Sequence, residues 1–301
     1  MRDVLDVCRL CRGTPKGIAV VIGVLAAILT TRLHAPVLRA ASASEMRVLS
    51  HGYVDGRGKS ATAIVGPDGI SNITDIPFPH GGEISPDGRR IAFDTCDRSN
   101  RAIAIATLDN SESRIIEPVF GESCATVRWA PDAARLSYAG AYDYLLHVVD
   151  LVTGADTALP YTFLATGWHA WSPRGDAIVY ETGRGGARRI DIIDLATWRT
   201  RQLVGPQQFG GCEVWAPDWS PARDRIAFTS CDRKLYVINA DGSELRHVAA
   251  SAYAPRWSTD GESLLFLSGR TLARIPADGG RVQNLGNLPY YGGPFSVGAV
   301  R

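Results

Sequence analysis

Short runs with β-branched and aliphatic residues at every second position alternate along this chain with breaks rich in Pro, Asp and Gly. Alternation over four to eight residues marks half-buried strands, and the residues in the breaks preset turn dihedrals. One strand–turn–strand segment recurs in register: EISPDGRRIAF from Glu83, RWAPDAARLSY from Arg128, AWSPRGDAIVY from Ala170, DWSPARDRIAF from Asp218 and RWSTDGESLLF from Arg256. Aligned on Ser85, Ala130, Ser172, Ser220 and Ser258, each copy predicts a short strand, a turn and an apolar strand. A second hairpin alternates with it, starting at Ala61, Ala102, Leu145, Arg189, Leu235 and Thr271, as in LYVINADGSELRHV. Together the two hairpins make a four-stranded unit of about 43 residues, the repeat length of a propeller blade.

A four-stranded blade cannot cover both of its faces alone, so blades stack in a ring. The expectation for residues 44–301 is an all-β, six-bladed propeller, with seven blades as the alternative. Six hairpins of the second kind stand against five of the first. The missing strand is expected in residues 294–300 (PFSVGAV), pairing with the sheet that holds residues 61–74, and residues 46–53 complete that blade. Closure by both termini removes the free sheet edges that invite aggregation.

Ser85-Pro86-Asp87-Gly88 followed by Ile91-Ala92-Phe93, and Trp219-Ser220-Pro221 followed by Ile226-Ala227-Phe228, resemble the repeat of the TolB-type propeller family, a relative of the WD repeat. The resemblance spans residues 45–301 and implies the fold. TolB carries a separate α/β domain ahead of its propeller, and too few residues follow position 31 to encode one here, so the resemblance covers the propeller portion only. Repeat residues build blades and name no chemistry.

Residues 1–43 read differently. An uncharged run at residues 17–31 (GIAVVIGVLAAILTT) follows a basic stretch ending in Lys16, the layout of a secretory signal. Small-residue cleavage patterns follow at Leu38-Arg39-Ala40 and Ala41-Ser42-Ala43. The expectation is a signal peptide or an uncleaved inner-membrane anchor with a short linker. Either places the propeller outside the cytoplasm, in the periplasm or secreted. Six of the chain's basic residues fall in this segment against two acidic ones, so a formal charge of +1 overall leaves the propeller mildly acidic. Such a body lacks the basic field that nucleic-acid phosphates need.

Four of the six cysteines lie in the exported part, where disulfides are permitted. Four cysteines allow three pairings. Cys212 precedes a first strand and Cys231 ends the adjoining second strand, which brings them to one end of one hairpin. Cys124 and Cys96 hold the like places in neighbouring blades, so the expected pairs are Cys96–Cys124 and Cys212–Cys231. Cys8 and Cys11, ahead of the apolar run, form a lone Cys-x-x-Cys without the further ligands that zinc requires.

Candidate chemistry is sparse. Trp129, Trp171, Trp219 and Trp257 share one repeat position, and an aromatic recurring in register packs blades more often than it binds sugar. One residue earlier stand Glu83, Arg128, Ala170, Asp218 and Arg256, on the innermost strands beside the axis. These charges either ring a ligand or neutralise one another. Trp168 and Trp215 stand outside the tryptophan register, and His169 adjoins the axial set. His80 and His169 with Glu83 or Asp218 are the nearest approach to a metal set, and neither a metal nor a cofactor is expected. A nucleophile elbow is absent, a phosphate-loop-like stretch at residues 52–60 has the wrong spacer, and a calcium-like stretch at residues 239–244 aligns with the hairpin turns.

The expected function is therefore an exported, non-catalytic propeller that binds an envelope protein or peptide segment at its channel mouth. Glu83, Arg128, Trp168, His169, Trp215, Asp218 and Arg256 are the candidate contacts. Two alternatives stand beside it. One is a channel-sited hydrolase or lyase acting on carbohydrate or peptide, with Glu83 and Asp218 as acid and base. The other is a structural scaffold attached through residues 1–43.

Overall fold

The computed structural model describes residues 45–54, 57–76, 82–94, 102–107, 112–116, 126–140, 143–160, 162, 164–183, 187–289 and 295–299. These form six antiparallel four-stranded sheets. The innermost strands of blades 2 to 6 are Gly82–Ile84, Val127–Trp129, Leu164–Trp171, Val214–Trp219 and Tyr253–Trp257. Blade 1 takes its inner strand, Ser296–Ala299, from the C-terminal end of the chain and its other three from the N-terminal side. Each inner strand touches the next around the ring.

The closing strand pairs with Met46–Val54, Met46 opposite Ala299 and Leu49 opposite Ser296. The strand expected in residues 294–300 thus closes the ring, but its direct partner is the strand expected in residues 46–53. The hairpin of residues 61–74 lies one strand further out.

The turns between first and second strands show why Ser, Pro, Asp and Gly recur. Ser85 Oγ accepts the Arg90 amide at 2.9 Å and donates to Asp87 Oδ1, while the Gly88 amide donates to Ser85 O at 2.8 Å. Ser172 and Ser258 repeat the device toward Ala177 and Ser263. Gly88, Gly175 and Gly261 supply the left-handed residue that ends each turn, with φ near 70°.

Second strands pack on both faces, so each carries a short apolar run such as Ile91-Ala92-Phe93 or Ile226-Ala227-Phe228. Arg225–Ser230 is buried along its whole length. Among the described residues six apolar clusters form, one at each blade boundary. Phe228, fully buried between blades 4 and 5, is typical. Burial of such a ring contributes about 2–3 kcal/mol.

The register tryptophans belong to these boundaries. Trp129 Nε1 donates to Glu83 O and Trp257 Nε1 to Asp218 O, both at 3.0 Å and both in the preceding blade. Trp171 Nε1 reaches Ser137 Oγ at 2.8 Å. Guanidiniums of the preceding blade lie over three of the rings: Arg90 over Trp129 at 4.7 Å, Arg135 over Trp171 at 4.9 Å and Arg225 over Trp257 at 5.9 Å.

Cys212 and Cys231 are joined by a disulfide, with Cα atoms 5.5 Å apart. Cys96, Cys124, Cys8, Cys11 and His80 lie outside the described residues, as do residues 17–31. Among the described residues no helix is long and apolar enough to cross a membrane.

Candidate functional site

All five axial register residues line a cup of about 330 Å³ at the ring's centre, and the four charged ones, Glu83, Arg128, Asp218 and Arg256, form its floor. Its rim carries Pro86, Pro131, Pro173, Pro221 and Thr259, the residues that follow the Ser/Ala anchors of the turns. The cup therefore opens on the face formed by those turns.

The floor is built from two equivalent clamps. Arg128 donates through Nη1 to Glu83 Oε2 of the preceding blade and through Nε to His169 O of the following blade at 3.0 Å. Arg256 donates through Nη1 to Asp218 Oδ1 of its preceding blade at 2.9 Å and through Nε to Phe295 O, beside blade 1, at 2.8 Å. Each guanidinium spans three successive blades, and blades 2–4 are matched by blades 5, 6 and 1. Both arginines are nearly sealed, at 5% and 3% exposure, yet the Nη2 atom of each is buried without a hydrogen-bond partner.

The carboxylates are held from their other side as well. Asp218 Oδ2 accepts the Trp257 amide at 2.8 Å. Glu83 is hydrogen-bonded by Ser296, whose Oγ also accepts the Ile84 amide at 2.9 Å. Burial raises both acids: Asp218 is pushed up to about 7, with Arg128 and the Trp257 amide opposing the shift and Glu83 adding to it. The Glu83 carboxyl is raised by burial against the pull of Arg128. In the six-membered ring blades 2 and 3 stand opposite blades 5 and 6, so the two clamps face each other across the axis.

The remaining candidates do not line the cup. His169 is fully buried, Nδ1 against Gly167 O at 2.7 Å and Nε2 against Ser137 Oγ at 2.8 Å. Burial, then the charge of Arg128, lowers it to about 3, so it is neutral and its nitrogens are engaged. Trp168 lies three residues ahead of Trp171, where pairing to the second strand breaks between Leu164 and His169. Its ring reaches across to blade 6, edge-on to Tyr253 at 6.3 Å and 5.5 Å from the Arg256 guanidinium carbon. Trp215 pairs opposite Thr229, and its buried Nε1 has no partner. The seven candidates thus divide: four form the floor, Trp168 sits against it toward the opposite face, and His169 and Trp215 stand away from the cup.

Backbone kinks help aim the floor. Blades 5 and 6 carry one extra inner-strand residue between Trp215 and Asp218 and between Tyr253 and Arg256. Ala216 and Ala254 take φ of 52° there, a left-handed conformation costing about 1–2 kcal/mol for a residue with a Cβ. Strained backbone of this kind concentrates where a side chain must be redirected.

Sequence reasoning passed over one cluster in blade 3. His147 lies between Asp143 Oδ2 at 2.9 Å and Asp156 Oδ1 at 3.2 Å, while Tyr138 Oη donates to Asp156 Oδ2 and its ring stacks on His147. Both imidazole nitrogens are committed, so the cluster fixes a hairpin rather than offering a base. A larger groove of about 860 Å³ beside blades 4 to 6 is lined by Arg174, Asp224, Arg225, Arg246 and Asp278 among others. Those guanidiniums already pair with those acids. Among the described residues no cluster of three His, Cys, Asp or Glu side chains could hold a metal ion.

No family model matches the chain. An uncharacterized protein of Agrobacterium fabrum is 23% identical over 217 residues, 62% of this chain and 68% of that protein. Among solved structures, a protein provisionally named TolB from Agrobacterium tumefaciens superposes with a TM-score of 0.61 at 17% identity, covering 82% of this chain and 90% of that one. TolB from Acinetobacter baumannii gives 0.53 at 16% identity, over 80% and 69% of the two chains. An oligogalacturonate lyase solved in complex with manganese also gives 0.53 at 16% identity, over 81% and 74%. At these identities the likeness speaks for the fold. With its six four-stranded blades, the chain has a TolB-like propeller fold.

Proposed function

We propose that this chain is an exported, non-catalytic binding module whose cup receives a segment of an envelope protein or peptide. One observation carries the reading: each axial acid is spent on holding an arginine and one further donor of the ring. Asp218 is tied by Arg256 and the Trp257 amide, and Glu83 by Arg128 and Ser296. Groups so fixed position charge; they are poorly placed to shuttle protons to a substrate. Buried ion pairs stabilise a fold little better than apolar residues of similar size, so a structural need alone does not account for them. The rim of short, proline-stiffened turns presents a rigid opening, which lowers the ordering cost of binding.

Export is supported by the signal-like residues 1–43 and by the Cys212–Cys231 disulfide, which persists only in an oxidising compartment. Cleavage at the small-residue patterns would release the propeller; retention of residues 17–31 would tether it to the inner membrane. The Cys96–Cys124 pair is part of the same proposal. Two facts favour the enzyme alternative: an acid pushed up to about 7 lies in a cavity, and an oligogalacturonate lyase shares the fold.

The test is a crosslinked pull-down of the full chain from intact envelopes, read by mass spectrometry, alongside turnover assays on oligosaccharide and peptide pools. A stoichiometric protein complex without turnover is the expected result. Turnover by the wild type that disappears in Glu83→Gln would replace this reading with the enzyme.

A further inference from the structure

Resting on the binding reading above, we propose that the cup is a carboxylate receptor: Arg128 and Arg256 take a carboxylate from an extended partner segment in exchange for the internal carboxylate of Glu83 or Asp218.

A guanidinium presents its donors as flat forks, and a carboxylate that meets two of them at once is bound more tightly and with fixed orientation. Neither internal acid does this. Each touches Nη1 alone, while the neighbouring Nη2 is buried and unpartnered. The acids cannot turn to meet both donors, because Ser296 holds Glu83 and the Trp257 amide holds Asp218. The guanidiniums cannot turn away either, since Nε of each is fixed on a backbone carbonyl, His169 O or Phe295 O. Two half-used, pre-oriented forks thus lie at the floor of an open cup. A carboxylate free to rotate makes the bidentate contact that the internal acids are prevented from making.

Because each Nη2 is out of reach of solvent, an arriving carboxylate must displace an internal acid rather than join it. Displacement leaves a buried carboxyl without its cation, so that carboxyl takes up a proton. Asp218 is the one disposed to do so. It faces Arg256 on its own clamp, Arg128 and Glu83 across the axis and the Trp257 amide, and burial already raises it to about 7. His169, behind Arg128, is neutral throughout the relevant range. Ionised Asp218 competes with the ligand above about pH 7, and protonated Asp218 releases Arg256 below it. Carboxylate affinity therefore falls as pH rises through that point.

Calorimetric titration of the full chain tests this with three probes: acetyl-Ala-Ala-Glu-amide, acetyl-Ala-Ala-Ala with a free C terminus, and acetyl-Ala-Ala-Gln-amide. At least one acid is expected to bind at pH 6, about tenfold more weakly at pH 8, and the glutamine amide not at all. Which acid binds distinguishes a side-chain carboxylate from a chain terminus. Asp218→Asn is expected to bind the same acid at pH 8 as tightly as the wild type does at pH 6. Should that variant fail to fold, wild-type enthalpies in two buffers of different ionisation heat give the proton count, expected to approach one per ligand at pH 7.5. Failure of both acids to bind at millimolar concentration, equal binding of the glutamine amide, or no proton uptake overturns the proposal. A protein captured at the turn face with no acid binding removes this inference and leaves the binding reading. Acid binding with no captured protein does the reverse, and points to a small carboxylate ligand.

Discussion

Ala133 adopts φ of 54° in the blade 3 turn, at the position where other blades place Gly88, Gly175 and Gly261. Its Cβ works against that conformation, while Asp132 Oδ1, accepting the Ala134 amide at 2.9 Å and the Arg135 amide at 3.1 Å, stands in for the missing serine hydroxyl. Replacement by glycine relieves the strain and loosens the unfolded chain. Ala133→Gly is therefore expected to raise stability by about 0.5–1 kcal/mol, read as a higher denaturation midpoint. Asp218 carries a second prediction at this scale. Its unfolded pKa lies near 3.9 and its folded value near 7, so between these values the native state holds a proton that the unfolded chain has lost. Stability falls as pH rises from about 4 to about 7 and then levels, and Glu83 acts in the same direction. Melting temperatures at pH 5 and pH 8 should differ in the wild type, and the difference should narrow in Asp218→Asn, with Glu83 supplying the remainder. The repeat register made it legible that Glu83, Arg128, Asp218 and Arg256 meet at the axis. Their pairing between neighbouring blades was not legible, because a side chain's reach depends on kinks at Ala216 and Ala254 that no local propensity announces. His169 lay next to the axial set in sequence, yet its ring turns to Ser137, a partner supplied by another blade.

Elements of this chain are stabilised mostly by their neighbours. The closing strand shows this most sharply, since blade 1 gains its inner strand only when the two ends of the propeller meet. A Cβ at Gly298 would lie 2.3 Å from Ile84 Cγ2, and one at Gly88 would lie 2.1 Å from Ala299 O. Both glycines sit where blade 2 meets the closing strand. Gly298→Val is expected to cost about 2 kcal/mol or more through overpacking, measured by chemical denaturation. Removal of residues 295–301 should abolish cooperative unfolding altogether. The Cys212–Cys231 disulfide closes a 19-residue separation between a blade connection and a second-to-third-strand loop. The Cys212→Ser, Cys231→Ser double variant is expected to lose about 3 kcal/mol, as should the wild type under strong reductant. Hairpins, blade count and this disulfide could be read from the chain because the repeat states the same local rule several times. The direct pairing of the closing strand with Met46–Val54 depended on long-range register instead, for which the chain gives no local signal.

At the scale of the whole molecule, the ring acts as a rigid frame that brings two arginine clamps together from six blades. The cup opens on the face of short turns, and Trp168 and Tyr253 stand toward the other side of the floor. Site-specific photo-crosslinking in intact envelopes shows whether a partner binds at the turn face. A photoreactive residue replaces Thr259 on the cup rim in one variant and Tyr253, 43% exposed on the opposite side, in another. One dominant crosslinked protein or peptide is expected from the Thr259 position, weakened when Arg128 is changed to Glu in a variant shown to fold, and none from Tyr253. Crosslinking from Tyr253 alone would place binding on the opposite face and contradict the turn-face site.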